Sequence, residues 1–391
     1  TFLELARYYI EKKGTLADIR GIAFRENGEI FHNGWRKVMD LSRVPFAYEQ
    51  TEDFANRIIY YESSRGCPFS CSYCLSSIDK KLRFRNLELV KKELQFFLDK
   101  KVPQVKFVDR TFNCKHDHAM EIWKYILEHD NGVTNFHFEI SADLLREEEM
   151  ELMSRMRPGL IQLEIGVQST NPDTIRAIHR NMDLKKLEAS VARVKSFGNI
   201  HQHLDLIAGL PCEDYESFRR SFEQVYRMKP DQLQLGFLKV LKGSSMYHEA
   251  QKYEILYKEK EPYEVLSTAW LSYEDILKLK MVESMVGVYY NSGQFRKTLS
   301  WIETFYQEMF SFYESLGAYY EEKGYEEISH SRLRRYEILL EFLKEKTQLP
   351  VNTASQHMVY DLYLREKLKK RPVFAMDQKP YEASVRNYRK A

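Results

Sequence analysis

The sequence predicts an α/β fold: a partial (βα)6 TIM-like barrel followed by an all-helical C-terminal domain. Six short apolar runs alternate with five longer amphipathic ones from Ile58 to Leu238, which is the pattern of βα units on a parallel sheet. The chain has 391 residues, more than one average domain and fewer than three. Beyond Gly243 the apolar spacing becomes helical and stays so.

In chain order, Phe2–Lys12 reads as an amphipathic helix, and Ile22–Phe31 as a hairpin turning on Asn27-Gly28. The strand-like runs are Ile58–Ser63, Val105–Val108, Phe136–Ile140, Leu160–Val167, His203–Ile207 and Gln232–Leu238. Helical patterns fall at Leu87–Lys100, His118–Glu128, Glu147–Met156, Leu184–Ser196 and Tyr215–Met228. Helices are then expected over Ser272–Ser292, Gly293–Leu316, Tyr319–Glu322 and Ser331–Lys346. These are crowded with aromatics, among them Tyr289, Tyr290, Trp301, Phe305, Tyr306, Phe310, Phe312 and Tyr313, a spacing expected of a packed core with part of it roofing the barrel mouth. The expected divisions are 1–55 (helix, hairpin and connector), 56–245 (barrel), 246–366 (helical domain) and 367–391 (basic tail).

Charged residues make up 30% of the chain and hydrophobic ones 43%, with a mean hydropathy of −0.53. That composition is globular and excludes a collagen, a disordered chain or an integral membrane protein. Lys and Arg total 59 against 57 Asp and Glu, so a formal charge of +2 demands no nucleic acid. No run approaches the roughly 20 apolar residues of a spanning helix, and a cytoplasmic location is expected. The chain opens Thr1-Phe2-Leu3 without Met, which reads as a fragment with something upstream.

Five cysteines, an odd and sparse set, argue against a disulfide scaffold and for a reducing compartment. Three of them lie on one Gly- and Pro-bearing loop, Gly66-Cys67-Pro68-Phe69-Ser70-Cys71-Ser72-Tyr73-Cys74, and point to a metal centre. Zinc needs a fourth ligand, for which His116 and His118 are candidates; an iron–sulfur cubane normally takes four thiolates, so three leave one iron open.

Cys67-x-x-x-Cys71-x-x-Cys74, with Tyr73 before the third cysteine, resembles the signature of the radical S-adenosylmethionine (SAM) enzymes. The resemblance implies a [4Fe–4S] cluster on Cys67, Cys71 and Cys74, with SAM chelating the fourth iron. Reductive cleavage of SAM then gives a 5′-deoxyadenosyl radical that abstracts hydrogen from an unactivated carbon. It also implies an electron donor such as a flavodoxin or ferredoxin.

Gly166-Val167-Gln168-Ser169, Arg180 twelve residues after Gln168, and Asp205-Leu206-Ile207-Ala208-Gly209-Leu210-Pro211 resemble the branch containing oxygen-independent coproporphyrinogen oxidase and the cobalamin-dependent radical enzymes. Carried over by position, Glu139, Gln168, Arg180 and Asp205 meet the amino acid and ribose parts of SAM, while Tyr73 and Ile207 line its adenine. Carboxylates suit an ammonium and hydroxyls, and Arg suits a carboxylate. Met39-Asp40-Leu41-Ser42-Arg43-Val44-Pro45 resembles the connector from a cobalamin domain to the radical core, which implies cobalamin held by a domain outside this sequence. Methyl transfer is then the expected outcome, with ring rearrangement beside it.

The chain departs from the wider family after the second strand, where Asp109-Arg110-Thr111 replaces a glycine-rich turn. Plainer readings stand beside these roles. Glu139 and Glu164 read also as barrel carboxylates paired with Arg, Asp205 as a loop cap, and Asp109 and Asn113 as caps of the helix near His118. Cys114 lies close enough to the second strand's end to be an additional thiol, whereas Cys212 reads as a loop residue. The tail carries Lys367, Lys369, Lys370, Arg371, Lys379, Arg386, Arg389 and Lys390 with Tyr381 and Tyr388, a solvated end or an RNA contact. A cobalamin-independent enzyme acting on tRNA or a small metabolite, and a non-catalytic metal-stapled module, are the alternatives. The substrate is not encoded in any motif.

Overall fold

A computed structural model describes residues 1–48, 57–326, 328–368 and 370–376. Helix α1 (Phe2–Glu11) buries none of its residues. The hairpin follows, β1 (Ala23–Glu26) against β2 (Glu29–His32), with Asn27 and Gly28 both at positive φ as a two-residue primed turn requires. The following segment makes one helical turn at Leu41–Arg43, and buried Leu41 accepts a hydrogen bond from Arg85 at 2.7 Å through its carbonyl.

The barrel opens with β3 (Ile59–Tyr61). The two-residue β4 (Ser64–Arg65) and β5 (Arg83–Phe84) pair antiparallel and clasp the cysteine loop between them. Then come α2 (Leu87–Asp99), β6 (Gln104–Phe107), α3 (His116–Glu128), β7 (Asn135–Ile140), α4 (Glu147–Ser154) and β8 (Ile161–Gln168). The unit closes with α5 (Pro172–Ala177), α6 (Leu184–Phe197), β9 (His201–Ala208), α7 (Tyr215–Arg227) and β10 (Gln232–Phe237). Strands β3, β6, β7, β8, β9 and β10 form one six-stranded parallel sheet in chain order, so all six expected strands are present.

Along β8 and β9 the side chains alternate strictly. Ile161, Leu163, Ile165, Val167, Leu204, Leu206 and Ala208 are buried beneath the helices. The other face carries Gln162, Glu164, Gly166 and Gln168 beside His203, Asp205 and Ile207. A closed barrel of this family of shapes fills its interior with aliphatic layers; here the interior face is polar.

Beyond the barrel lie α8 (Ser245–Glu249) and a small antiparallel hairpin, β11 (Leu256–Tyr257) with β12 (Val265–Ser267). The stretch after Gly243 is thus not helical throughout. Next come α9 (Tyr273–Met285), extended by a π turn at Val286–Asn291, then α10 (Arg296–Ile302), α11 (Met309–Lys323), α12 (Arg332–Lys346) and α13 (Val351–Tyr363). The expected Gly293–Leu316 helix is two, and Tyr319–Glu322 belongs to the second. Most of the aromatic stripe is core: Phe310 stacks edge-on with Phe222 at 5.4 Å and with Tyr215 at 5.7 Å, joining α11 to α7. Phe305 is the exception and stands exposed. Of the tail, Lys369, Lys379, Tyr381, Arg386, Tyr388, Arg389 and Lys390 lie outside the described residues. Among the described residues no helix is long and apolar enough to cross a membrane.

Candidate active site

The cysteine loop leaves the carboxyl end of β3, where barrels of this kind collect ligands. Gly66 stands at φ +94°, and a Cβ there would meet the Lys81 carbonyl oxygen at 2.7 Å, so only glycine lets the loop turn toward β5. Cys67 N then donates to Asp79 O at 3.1 Å, Ser72 N to Ile178 O at 2.9 Å, and Met246 N to Ser72 O at 2.8 Å. The loop is thereby tied to the end of α5 and the start of α8. Cys67 and Cys71 are buried, Cys74 is half-buried, and all five cysteines are free thiols.

Asp109, at the end of β6, is buried beneath this loop. It accepts Ser63 N at 2.9 Å, Ser63 Oγ at 2.7 Å and Ser64 Oγ at 2.5 Å. The single Ser63 hydroxyl proton goes to Asp109, so His118 Nε2, 3.0 Å from Ser63 Oγ, is the donor there. Burial raises the Asp109 carboxyl to about 6 and lowers the His118 imidazole to about 4. Neither Asp109 nor Asn113 caps a helix: Asn113 exchanges hydrogen bonds with the Ser141 backbone, and the N-terminus of α3 is flanked by Lys115 without a side-chain cap. His118 is spent on Ser63 and His116 on Glu149, so neither stands with the cysteines as a fourth ligand.

The end of β8 is distorted where the site needs it. The register with β9 shifts between Gly166 and Gln168, and Gln168 takes φ +73°, a conformation costly for a side chain other than glycine. A Cβ on Gly166 would fall 2.2 Å from the Gln168 amide nitrogen and 3.6 Å from the Arg180 guanidinium. Glycine thus vacates the volume that the amide fills, with the guanidinium at ordinary contact distance beside it. Arg180 donates to the Gly166 carbonyl and reaches Tyr73 Oη at 3.3 Å and Cys71 Sγ at 3.8 Å. Burial lowers the affinity of Arg180 for its proton, but the Tyr73 and Cys71 side chains outweigh it and hold the guanidinium charged. Burial raises the Tyr73 phenol in turn.

One cavity of about 220 Å³ is lined by Cys67, Cys71, Cys74, Tyr73, Glu139, Gln168, Arg180 and Asp205 together. Arg110, Thr111 and Asn181 share its wall, so the polar turn after β6 does contribute. Ile207 lies outside it, in an adjoining cleft with Phe237 and Lys239 that shares Tyr73, Gln168 and Asp205. Cys114 and Cys212 line neither cavity, and burial raises the Cys114 thiol to about 11. Among the described residues, none of the helical domain's aromatics lines these two cavities, where the roof is expected.

Sequence reasoning missed the polar partners below. Glu164 Oε2 accepts from Lys106 at 2.9 Å, so its partner is a lysine rather than the expected arginine, and His137 Nε2 stands 2.9 Å away. His203 Nε2 lies 2.7 Å from Asp205 Oδ1. The adjacent His137 and Lys106 outweigh burial and hold Glu164 at about 2. Burial and the neighbouring Glu164 raise Glu139 to about 7. The signal was the His-x-His-x-Asp alternation of β9, polar on the face that should have been apolar.

The donor set fits an iron–sulfur cluster with a zwitterionic ligand beside it. Three free thiols converge on one cavity with no fourth protein ligand among the described residues. Next to them, Arg180 Nε and Gln168 Oε1 are buried without a hydrogen-bond partner, a donor and an acceptor awaiting polar groups. A family model described as the radical SAM superfamily matches residues 61–225. Residues 61–225 are a radical SAM domain. A second model, described as a protein of unknown function (DUF4080), matches residues 251–391, the helical region.

Around the radical SAM domain the likeness extends further. An uncharacterised methyltransferase of Pyrococcus horikoshii is 22% identical over 293 residues, 72% of this chain and 61% of that protein. The cobalamin-dependent SAM radical enzyme OxsB, solved with aqua-cobalamin and SAM bound, superposes with a TM-score of 0.58 at 14% identity, over 92% of this chain and 61% of that one. The radical SAM methyltransferase TsrM of Kitasatospora setae, solved with cobalamin and a [4Fe–4S] cluster, gives 0.52 at 14% identity, over 75% and 53%. The chain therefore spans under two thirds of the length of these relatives.

Proposed function

We propose that the protein cleaves SAM reductively at a [4Fe–4S] cluster held by Cys67, Cys71 and Cys74, and transfers a methyl group, supplied by a second SAM, to an unactivated carbon with cobalamin as partner cofactor. The observation that carries this reading is the convergence of three free thiols with Tyr73, Gln168 and Arg180 on one cavity at the carboxyl end of the sheet. When bound, the cluster supplies the electron that breaks the SAM sulfonium bond.

The chain's own part is binding and orientation. Arg180, charged and anchored on the Gly166 carbonyl, presents its remaining donor capacity to a carboxylate. Gln168 offers an amide oxygen to an ammonium or hydroxyl, and Glu139 and Asp205 are carboxylates for the same groups. Tyr73, which lines both cavities, and Ile207, in the adjoining cleft, provide apolar walls for a purine. The adjoining cleft, with Phe237, Leu238 and Lys239, is the place for the substrate. Cobalamin use is supported by the connector sequence at Met39–Pro45 and by the likeness to OxsB and TsrM, and methyl transfer by the Pyrococcus relative. A flavodoxin or ferredoxin is the proposed reductant, and the cytoplasm the proposed compartment.

The test is anaerobic. Protein with reconstituted iron and sulfide is given dithionite and SAM, and 5′-deoxyadenosine is quantified against a Cys71→Ala control. Formation that vanishes in the control supports the reading. A full iron and sulfide complement with no 5′-deoxyadenosine refutes SAM cleavage. Absence of corrinoid absorption in protein expressed from the complete reading frame with hydroxocobalamin refutes the cobalamin half alone.

A further inference from the structure

At the floor of the cavity, Glu164 and Asp205, which line it, stand with His203 in a cluster of ligand-type side chains. Ligand-type atoms of Glu164, His203 and Asp205 all lie within 4.8 Å of one another. His203 Nε2 and Asp205 Oδ1 are 2.7 Å apart and both are buried, in a direction poor for a hydrogen bond. Against burial, Asp205 draws the imidazole toward its protonated form, so a proton or a cation is the positive charge this pair calls for. Two buried lone-pair atoms this close repel unless a positive charge stands beside them.

The adjoining layer repeats the pattern. His137 is 8% exposed and its Nε2 lies 2.9 Å from Glu164 Oε2, close enough to lower that carboxyl but poorly directed for a hydrogen bond. Lys106 satisfies Glu164 Oε2 and so compensates one carboxylate. Asp205 and Glu139 share the same lumen, and Glu139 makes no hydrogen bond among the described residues. An ion-pair network of ordinary kind would leave these atoms aligned; this one leaves them converging.

We propose that Glu164, His203 and Asp205 bind a divalent cation in the barrel lumen. Around an ion with ligand distances near 2.1 Å, adjacent octahedral ligand atoms stand about 3 Å apart, which the His203–Asp205 separation approaches. One imidazole and two carboxylates suit first-row ions of the Mn(II), Fe(II) and Zn(II) kind. Lys106 and His137 then hold Glu164 through its Oε2, as supporting groups hold a ligand. The cation fixes Asp205 at the floor of the cavity. The inference does not depend on the cluster reading, since none of the three cysteines takes part.

The test uses Mn(II), which thiolates bind poorly, on the full chain with Cys67, Cys71 and Cys74 all changed to Ala, so that no cluster iron is counted. Electron paramagnetic resonance of free Mn(II) gives the stoichiometry, and spin-echo spectra of the bound ion report nitrogen coupling from a ligating imidazole. One Mn(II) per chain with imidazole modulation is expected, weakened at least about tenfold by His203→Gln and by Glu164→Gln, and unchanged by the exposed control Glu147→Gln. Failure of Mn(II) to bind, binding without nitrogen modulation, or binding that neither His203→Gln nor Glu164→Gln weakens overturns the proposal. The spectroscopic criterion stands on the parent alone, so the proposal can still fail or hold there if a variant does not fold. The 5′-deoxyadenosine assay is read on cysteine-intact protein, so either result is separable from the other.

Discussion

At the scale of single residues, the end of β8 is organised by what Gly166 lacks. A methyl group there occupies the place of the Gln168 amide, and the bulge that gives Gln168 its φ of +73° leaves that side chain no ordinary alternative course. Gly166→Ala is therefore expected to weaken SAM binding by about tenfold, or 1.4 kcal/mol, while iron and sulfide content stay at the parent value. Calorimetry of SAM binding beside iron analysis checks it; equal affinities would remove the bulge from the binding argument. The cysteines, Gln168, Arg180 and Asp205 could be singled out because each lies in or beside a short string of distinctive residue types, and the structure brings them to one cavity. Lys106, His137 and His203 could not, because a polar residue on a strand discloses its face only once the sheet is formed. Asp109 was visible but misplaced: local sequence suggested a cap, and a serine pair 45 residues upstream claimed it instead.

At the scale of elements, the clasp of β4 on β5 sets the cysteine loop. Gly66→Ala drives a Cβ to 2.7 Å from the Lys81 backbone oxygen, which no side-chain motion relieves. Reconstituted iron is expected to fall below about half of the parent level in that variant, with far-ultraviolet dichroism unchanged. Full iron incorporation would mean that the loop tolerates a different path. The six strands were legible because their apolar runs are short and their helices strongly amphipathic. The β11–β12 hairpin was not, since its strands are two and three residues long, too short to show a period. The break between α10 and α11 was hidden for the opposite reason: aromatics continue through it at helical spacing, and the chain leaves the helix at Glu303 without a glycine or proline to announce it. Phe310, fully buried between Phe222 and Tyr215, joins the two halves, and Phe310→Ala is expected to destabilise the protein by about 3–5 kcal/mol. Below its melting temperature the same variant should form 5′-deoxyadenosine at the parent rate, because α11 lines neither cavity.

At the scale of the whole molecule, the end of β8 is bound to α7 by one buried carboxyl. Glu213 Oε1 accepts from Ser169 Oγ at 2.7 Å and from Ser221 Oγ at 2.8 Å, while Oε2 is buried without a partner. Burial raises this group from 4.5 to about 7, against which the two hydroxyls pull only in part. Between pH 4.5 and 7 the folded protein keeps a proton that the unfolded chain has released. Glu213 therefore costs stability progressively as pH rises through that window, up to about 3 kcal/mol above pH 7 and nothing below pH 4.5. The barrel and α7 are held together most firmly when this carboxyl is neutral. Glu213→Gln keeps an oxygen for the two serines and has no proton to lose. The variant is expected to match the parent near pH 4.5 and to melt several degrees higher at pH 7.5, the gap opening between those values. Asp109 and His118 titrate in the same range with opposite signs, but they are common to both proteins and cancel in the comparison. Thermal midpoints of the pair across this range decide it: parallel curves would place the Glu213 proton elsewhere and leave the β8–α7 junction indifferent to pH.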